Sequence, residues 1–334
     1  MEEKGALPAV FDDRFPDLNM SVLNSLRGAA AGSLMRLMRA KPSLSSSYTA
    51  TVARLAADRD PAVRVACQGL CLALLAFDRD MAVDLFIGCC EHRDDRVLDG
   101  MYMDDVLQRT WESDPVKLAP LIARMVDCAN GNAAEKGAFW ASVGWIRGGL
   151  YADIAARCLH GTVAQRKGAA HALSRLAANG EFRPAAVREL AFLLRDEEPW
   201  VVAQVTNALR DRAVLESPEG VKLALEFVGS PAFGTNAGDL FYLLGNLPGS
   251  LLPYAEVVAE SVRRLVEWST SSSPYIAARS QGMSGQLGSL LLRLYEQSEG
   301  AELEAARREC LDMLDRFFRG RLDLAREMLD QLDS

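Results

Sequence analysis

Isoleucine, threonine and histidine are scarce in this 334-residue chain, which has 5, 7 and 3 of them. Because β-branched residues favour strands whereas the abundant Ala, Leu, Arg and Glu favour helices, the composition predicts an all-α fold. With 49% hydrophobic residues the chain has enough apolar material to form a core, which excludes disorder as its resting state. It also exceeds the roughly 250 to 300 residues at which a single core stops growing, so we expect two domains or an elongated stack.

Positive charge is also in short supply. The 37 basic and 45 acidic residues leave a formal net charge of −8, so no global field attracts polyanions, and nucleic acid is disfavoured as a partner. Residues 1–17 contain Glu2, Glu3, Asp12 and Asp13 but no apolar core segment, unlike a secretory signal. The longest apolar run, 65–77, is too short for the roughly 20 residues that span a bilayer. We therefore expect a cytoplasmic protein without a membrane partner.

Several catalytic motifs are missing. The chain has no Gly-Lys-Ser/Thr, no Gly-x-Gly-x-x-Gly and no Gly-x-Ser-x-Gly, which excludes the common phosphate-binding loops and the nucleophile elbow. Gly282, Gly285 and Gly288 fall within a helical pattern, and we interpret them as sites of close helix packing instead of ligand contact. The sequence thus predicts a protein that is not an enzyme and has neither catalytic residues nor a cofactor.

Seven cysteines, an odd number, favour reduced thiols over a disulfide framework. If a helical hairpin turns near residues 77–79, its equal arms place Cys67 across from Cys89 and Cys90, so a zinc site is geometrically conceivable. However, no Cys-x-x-Cys occurs, and the thiols lie among Ala, Leu and Val, where free cysteine behaves as a small hydrophobe. We interpret this set as core packing and expect no metal site. The residues considered as ligands are Cys67, Cys71, Cys89, Cys90 and His92.

Internal repeats indicate the architecture. Asp60-Pro61-Ala-Val-Arg opens one helix, and weaker forms of the pattern recur at Glu198-Pro199 and around Gly168 and Gly28. A proline suits the first helical turn, and the residue before it can cap the helix. This pattern resembles the HEAT repeats, which implies a right-handed α-solenoid of about eight antiparallel hairpins over 18–332, preceded by an N-terminal extension, 1–17. The predicted hairpins are 18–58, 60–92, 95–132, 133–161, 162–197, 199–233, 235–273 and 275–332.

Three features leave alternatives open. The stretch 301–332 keeps one apolar face, so it is either a single helix of about 45 Å, at 1.5 Å per residue, or two helices broken at Gly320. A helix over 21–40 shows apolar residues on half its circumference, so either Phe11, Phe15 and Leu18 cover it or an upstream domain does. The segment 229–238 is a candidate hinge or domain boundary.

Stacked hairpins leave a concave surface that suits recognition, so we expect a non-catalytic protein-binding scaffold or sensor that uses this surface and the C-terminal helix. The partner would be another protein or a sister domain, and the contact residues are unknown at this level. Ala-rich, Arg-rich usage also resembles the helical-repeat arm of a large bacterial NTPase. The alternative is a nucleic-acid-acting enzyme of the HEAT-like DNA glycosylase type, although we interpret the tryptophans as core. That alternative draws on Trp111, Trp140, Trp145, Trp200, Trp268 and Arg147.

Overall fold

The computed structural model describes residues 17–269, 274–298 and 304–319. Within these residues the chain forms eighteen α-helices and three short 3-10 helices, without any strand, which confirms the predicted all-α class. The chain divides into two compact units, Met1–Ala169 and Ala170–Ser334. Across the described ranges, no helix combines the length and the apolar character needed to cross a membrane.

Unit 1 contains nine helices and the first part of a tenth. Two 3-10 helices also belong to this unit, at Pro42–Leu44 and Asp95–Asp99. The α-helices are α1 Leu18–Asn24, α2 Leu26–Ala40, α3 Ser45–Ala56, α4 Pro61–Leu74, α5 Arg79–Cys90, α6 Met103–Thr110, α7 Pro115–Asp127, α8 Gly131–Gly148, α9 Ala152–Leu159 and α10 Val163–Ala177, which continues into unit 2.

Helix α4 is the centre of the unit 1 core. All ten residues from 65 to 74 are buried, and the helix packs against α1, α2, α3 and α5. A helix that is apolar on every side belongs inside a protein, which explains the longest apolar run of the sequence. The helix begins as predicted, since Asp60 accepts a hydrogen bond from the Ala62 amide at 2.9 Å and Pro61 occupies the first turn.

The single helix predicted over 21–40 is wrong, because the chain turns a corner at Ser25. Ser25 is extended and caps α2, accepting a hydrogen bond from the Gly28 amide at 3.0 Å. A Cβ on Gly28 would lie 1.8 Å from the Val22 carbonyl oxygen, so only glycine allows this approach. The same Val-x-x-Ser-x-x-Gly corner recurs before α14, where Gly220 approaches the Val214 carbonyl equally closely.

Unit 2 contains a cluster of aromatic side chains. The Phe233 ring contacts Phe227, Phe241 and Trp268 at centroid distances of 5.7, 5.8 and 5.5 Å. Helix α17 continues through Gly282, Gly285 and Gly288 without a break, and it packs against α15 and α16. The helices are α11 Arg183–Leu193, α12 Pro199–Leu209, α13 Arg212–Leu215, α14 Pro218–Gly229, α15 Phe233–Gly245, α16 Ala255–Ser269, α17 Pro274–Gln297 and α18 Glu304–Arg319, with a 3-10 helix at Leu252–Tyr254.

The remaining predictions about the ends are only partly within the described residues. Helix α18 covers the first half of the stretch 301–332, and the question of a break at Gly320 lies outside those residues, as do Phe11 and Phe15. Leu18 is buried in α1. Helix α14 ends at Gly229 and α15 begins at Phe233, so the hinge near 229–238 stays a prediction.

Arginine side chains satisfy carbonyl groups where helices end. Arg64 donates to the Gly88 carbonyl at 2.8 Å, and Arg124 to that of Cys90 at 2.5 Å, both at the end of α5. In unit 2, Arg264 donates to the Gly229 carbonyl and Arg293 to that of Gly245. The last carbonyls of a helix have no partner within the helix and favour a cation. This role gives the Arg-rich composition a structural reason.

Candidate functional site

An open groove of about 1190 Å³ lies on the surface of unit 1. Three segments form it: the corner between α1 and α2, the start of α4, and the loop that follows α5. Its volume exceeds the roughly 300 to 1000 Å³ typical of small-molecule pockets. The lining residues are Leu18, Ser21, Asn24, Ser25, Arg27, Arg59, Asp60, Pro61, Ala62, Arg64, Glu91, His92, Arg93, Asp94, Asp95 and Arg96.

Hydrogen bonds between the segments fix two walls of this groove. His92 bridges them, since its Nε2 lies 3.2 Å from the Arg59 carbonyl and its Nδ1 accepts from the Asp94 amide at 3.0 Å. The donated and accepted bonds require a neutral ring with its proton on Nε2. Arg64 adds a bond from Nε to the Asp58 carbonyl at 2.5 Å. His92 is therefore a structural residue of the groove and is not directed at the cysteines.

The charges of the groove are mixed. Its lining includes five arginines and four carboxylates. Two of the carboxylates form ion pairs, Asp94 with Arg96 at 2.7 Å and Asp95 with Arg124 at 2.6 Å. Burial alone would raise the pKa of Asp94, but the hydrogen bonds from Arg96 outweigh burial and lower it.

Two arginines at the groove have no such partner. Arg59 and Arg93 are exposed and make no ion pair with any residue that the structure describes, while Arg27 is 3.7 Å from Asp58 with its side chain 66% exposed. Glu91 and Asp60 are the exposed carboxylates on the same lining. The groove thus offers cations and anions within one surface.

Exposed leucines flank the groove at the α1–α2 corner. Leu26 is 91% exposed and lies between the lining residues Ser25 and Arg27, and Leu23 is 64% exposed. On the same helices Val22 and Met38 are buried. The apolar face predicted over 21–40 is therefore divided, with part of it in the core and part on the surface.

The sequence did not single out Arg59 or Arg93, although a signal was present. In an antiparallel hairpin, the start of the first helix and the end of the second lie at the same end. The charged runs Asp58-Arg59-Asp60 and His92-Arg93-Asp94-Asp95-Arg96 occupy those two positions around α4 and α5. Their juxtaposition follows from the hairpin that the sequence predicts.

The structure brings together three of the five residues considered as metal ligands. The Sγ atoms of Cys67, Cys71 and Cys89 all lie within 4.8 Å of one another, and the three residues are fully buried. We call this set the thiol cluster. Cys90 is directed elsewhere, since Gln68 donates to its sulfur at 3.8 Å. The predicted proximity of Cys67 and Cys89 across the hairpin is confirmed.

The tryptophans of the glycosylase alternative occupy separate structural positions. Trp111 is buried with the Arg147 guanidinium 4.9 Å from its ring centroid, and the Trp140 indole donates to Asp104 at 2.8 Å. In unit 2, Trp268 packs on Phe233 and Trp200 is 68% exposed. The core interpretation is confirmed for Trp111 and Trp140, whereas Trp200 lies on the surface.

Helix α18 borders a smaller cavity in unit 2, of about 400 Å³, beside α16. Its lining includes four acidic residues and two arginines, and of these Glu260 and Arg263 form an ion pair.

Comparison of the chain with the profiles of known families, with curated proteins and with solved structures gave no match. The geometry of the chain is therefore the basis for any functional conclusion.

Proposed function

We propose that this chain is a non-catalytic protein-binding module of HEAT-like stacked hairpins, forming a right-handed α-solenoid, and that a partner protein binds at the groove of unit 1. As the sequence predicts, the concave surface would contact the partner and α18 would provide a second contact. The observation that supports the groove most directly is the combination of Arg59 and Arg93, which form no ion pair with any described residue, with the exposed Leu26 at one rim.

The partner that fits is a protein segment with apolar and acidic side chains. An exposed leucine contributes about 1.5 to 3 kcal/mol when a partner buries it, and Leu23 and Leu26 are available for that. Arginine is enriched in interfaces because its guanidinium binds carboxylates with two parallel hydrogen bonds. Arg59 and Arg93 would accordingly select carboxylates, and Glu91 would oppose a partner of uniform negative charge.

Mixed charge also weighs against the nucleic-acid alternative. A protein that grips a duplex neutralises several phosphates with Lys or Arg, and carboxylates among those cations would repel the backbone. In the groove, Asp60 and Glu91 are exposed beside the arginines. The protein-binding proposal therefore fits this surface better than the glycosylase type does.

The test uses charge reversal with a matched control. In the groove variant, Arg59→Glu and Arg93→Glu are combined; in the control variant, Arg39→Glu and Arg54→Glu are combined. Arg39 and Arg54 are exposed in unit 1 but do not line the groove. Both variants change the net charge equally, so a global electrostatic effect would act on both.

The tagged wild-type chain and both variants are used to purify partners from the native host, and each retained protein is then titrated in purified form. We expect a protein that binds the wild type and the control variant equally and the groove variant at least tenfold more weakly, with Leu26→Ser also weakening it. A partner that the groove variant retains fully would refute the groove as the site. Retention of nucleic acid alone would favour the enzyme alternative.

A further inference from the structure

The thiol cluster has the geometry of a metal site within a single hairpin. Cys67 and Cys71 are one turn apart on α4, so their side chains share one face of the helix. Cys89 comes from the last turn of α5, which packs against α4. Each sulfur lies within 4.8 Å of the other two, and all three residues have no solvent exposure.

The sulfurs are close to the separation that a common metal ion requires. A point equidistant from three sulfurs 4.8 Å apart lies about 2.8 Å from each, whereas a zinc–thiolate bond is about 2.3 Å. An inward movement of at most about 0.5 Å per sulfur would therefore close the site. Side-chain rotation of cysteine on two helices can provide a movement of this size.

The donor set determines the class of ion. Thiolates select soft metals such as Cu(I) and zinc, and structural zinc is almost always four-coordinate. No fourth Cys, His, Asp or Glu joins the cluster among the residues that the structure describes. Cys90 is the nearest in sequence, but Gln68 bonds its sulfur. Three thiolates without a fourth ligand suit a soft ion in three-coordinate geometry.

Hydrogen bonds link the three thiols to one another, and the Cys67 thiol also donates to the Val52 carbonyl at 3.4 Å. Hydrogen bonds from Cys71 and Cys89 lower the pKa of Cys67, with help from the nearby charge of Arg64. The hydrogen bond with Cys67, together with burial, raises the pKa of Cys71 and of Cys89. A bound cation would remove the obstacle to ionising them, since metal coordination deprotonates thiols.

We propose that Cys67, Cys71 and Cys89 bind one soft, thiophilic metal ion in three-coordinate geometry, for which Cu(I) is the best fit. Each ligating thiol releases its proton to solvent when its sulfur–metal bond forms, and no oxidation or reduction takes place. The alternative is that the three thiols only fill the core, as free cysteines commonly do.

The experiment titrates the reduced full-length chain with Cu(I) under anaerobic conditions, against a chromophoric Cu(I) chelator. We expect one tightly bound Cu(I) per chain, an ultraviolet thiolate-to-copper band, and luminescence of an ion shielded from water. Each of Cys67→Ala, Cys71→Ala and Cys89→Ala should weaken binding by at least roughly 100-fold, more than the loss of an outer-shell partner does.

Two controls separate the site from general thiol chemistry and from unfolding. Cys90→Ala changes the neighbouring buried cysteine, and Cys158→Ala changes a buried cysteine on α9; both should bind as the wild type does. Far-UV circular dichroism identifies any variant that fails to fold. If Cys89→Ala does not fold, Cys89→Ser replaces it. Cu(I) should raise the unfolding temperature of the wild type and both controls but not of the cluster variants.

Any of three results would overturn the proposal. If the reduced wild type retains no Cu(I) against the chelator, the cysteines only fill the core. If Cys90→Ala abolishes binding, or if the three cluster variants bind as tightly as the wild type, the ion is not held by these three sulfurs.

Discussion

Arg124 is expected to hold the wall of the groove, although it does not line the groove itself. From α7, its guanidinium donates to the carbonyls of Cys90 and His92 at 2.5 Å each and to Asp95 at 2.6 Å. These three bonds connect the end of α5, the loop after it and the 3-10 helix that begins at Asp95. Arg124→Ala removes all three and leaves the carbonyls at the helix end without this cation.

The expected loss of stability follows from those contacts. A hydrogen bond from a charged group contributes about 1.5 to 3 kcal/mol, and the Arg124 side chain is 35% exposed, so solvent replaces part of each bond. We expect a loss of about 2 kcal/mol, which corresponds to a roughly 30-fold larger population of the locally open state. The control is Arg157→Ala, which breaks a pair with Asp127 whose side chains are 58% and 54% exposed and should lose less than about 1 kcal/mol.

Hydrogen exchange measured on peptides that cover residues 91–98 provides the assay, because amides there are held by the loop. Asp94 donates its amide to His92, and Arg96 donates its amide to Asp94. Exchange in this segment should accelerate in Arg124→Ala and stay unchanged in Arg157→Ala. Equal exchange in the two variants would refute the role of Arg124 in fixing the wall.

Two further predictions concern backbone packing and pH dependence. Gly220→Ala places a Cβ 1.8 Å from the Val214 carbonyl oxygen and should lower the free energy of unfolding by about 2 kcal/mol. The Cβ of Gly229→Ala would meet no heavy atom within 4 Å, so this variant should gain up to about 1 kcal/mol. Urea midpoints measure both changes. Tyr151→Phe loses the bond to the Pro115 carbonyl, about 1 kcal/mol at pH 7. Burial, aided by the charge of Asp114, raises the Tyr151 pKa from 10.0 to about 12, so the stability of the wild type falls as the pH rises from 10 to 12. Between pH 7 and pH 11, the urea midpoint of Tyr151→Phe should therefore fall less than that of the wild type.

Several helix starts were predictable because they have local causes. Pro61, Pro115, Pro199 and Pro218 each occupy the first turn of a helix, where the lost amide bond has no consequence. The corner at Ser25 was not predicted, because serine and glycine are common in helices and only the close approach of Gly28 to the Val22 carbonyl requires the turn. The thiol cluster was partly predictable, since equal arms of one hairpin bring Cys67 opposite Cys89.

The groove depends on tertiary contacts that the pattern of one chain does not contain. Its third wall comes from the α1–α2 corner, which packs against α4 from more than thirty residues away in sequence. Whether Arg59 forms an ion pair depends on which nearby carboxylates are already paired with other residues. Arg124 illustrates this, because it occupies Asp95 from a helix that begins twenty residues further along the chain.

The groove and the thiol cluster belong to the same hairpin, so their tests must be separable. Arg64 contributes to the groove one turn before Cys67, and Glu91 lines it two residues after Cys89. The groove variants change Arg59 and Arg93, which are exposed, and leave every sulfur and every bond of Arg64 in place. The cysteine variants leave the arginines and leucines of the groove unchanged. Loss of partner binding with Cu(I) binding intact would therefore concern the groove alone, and the reverse result would concern the thiol cluster alone.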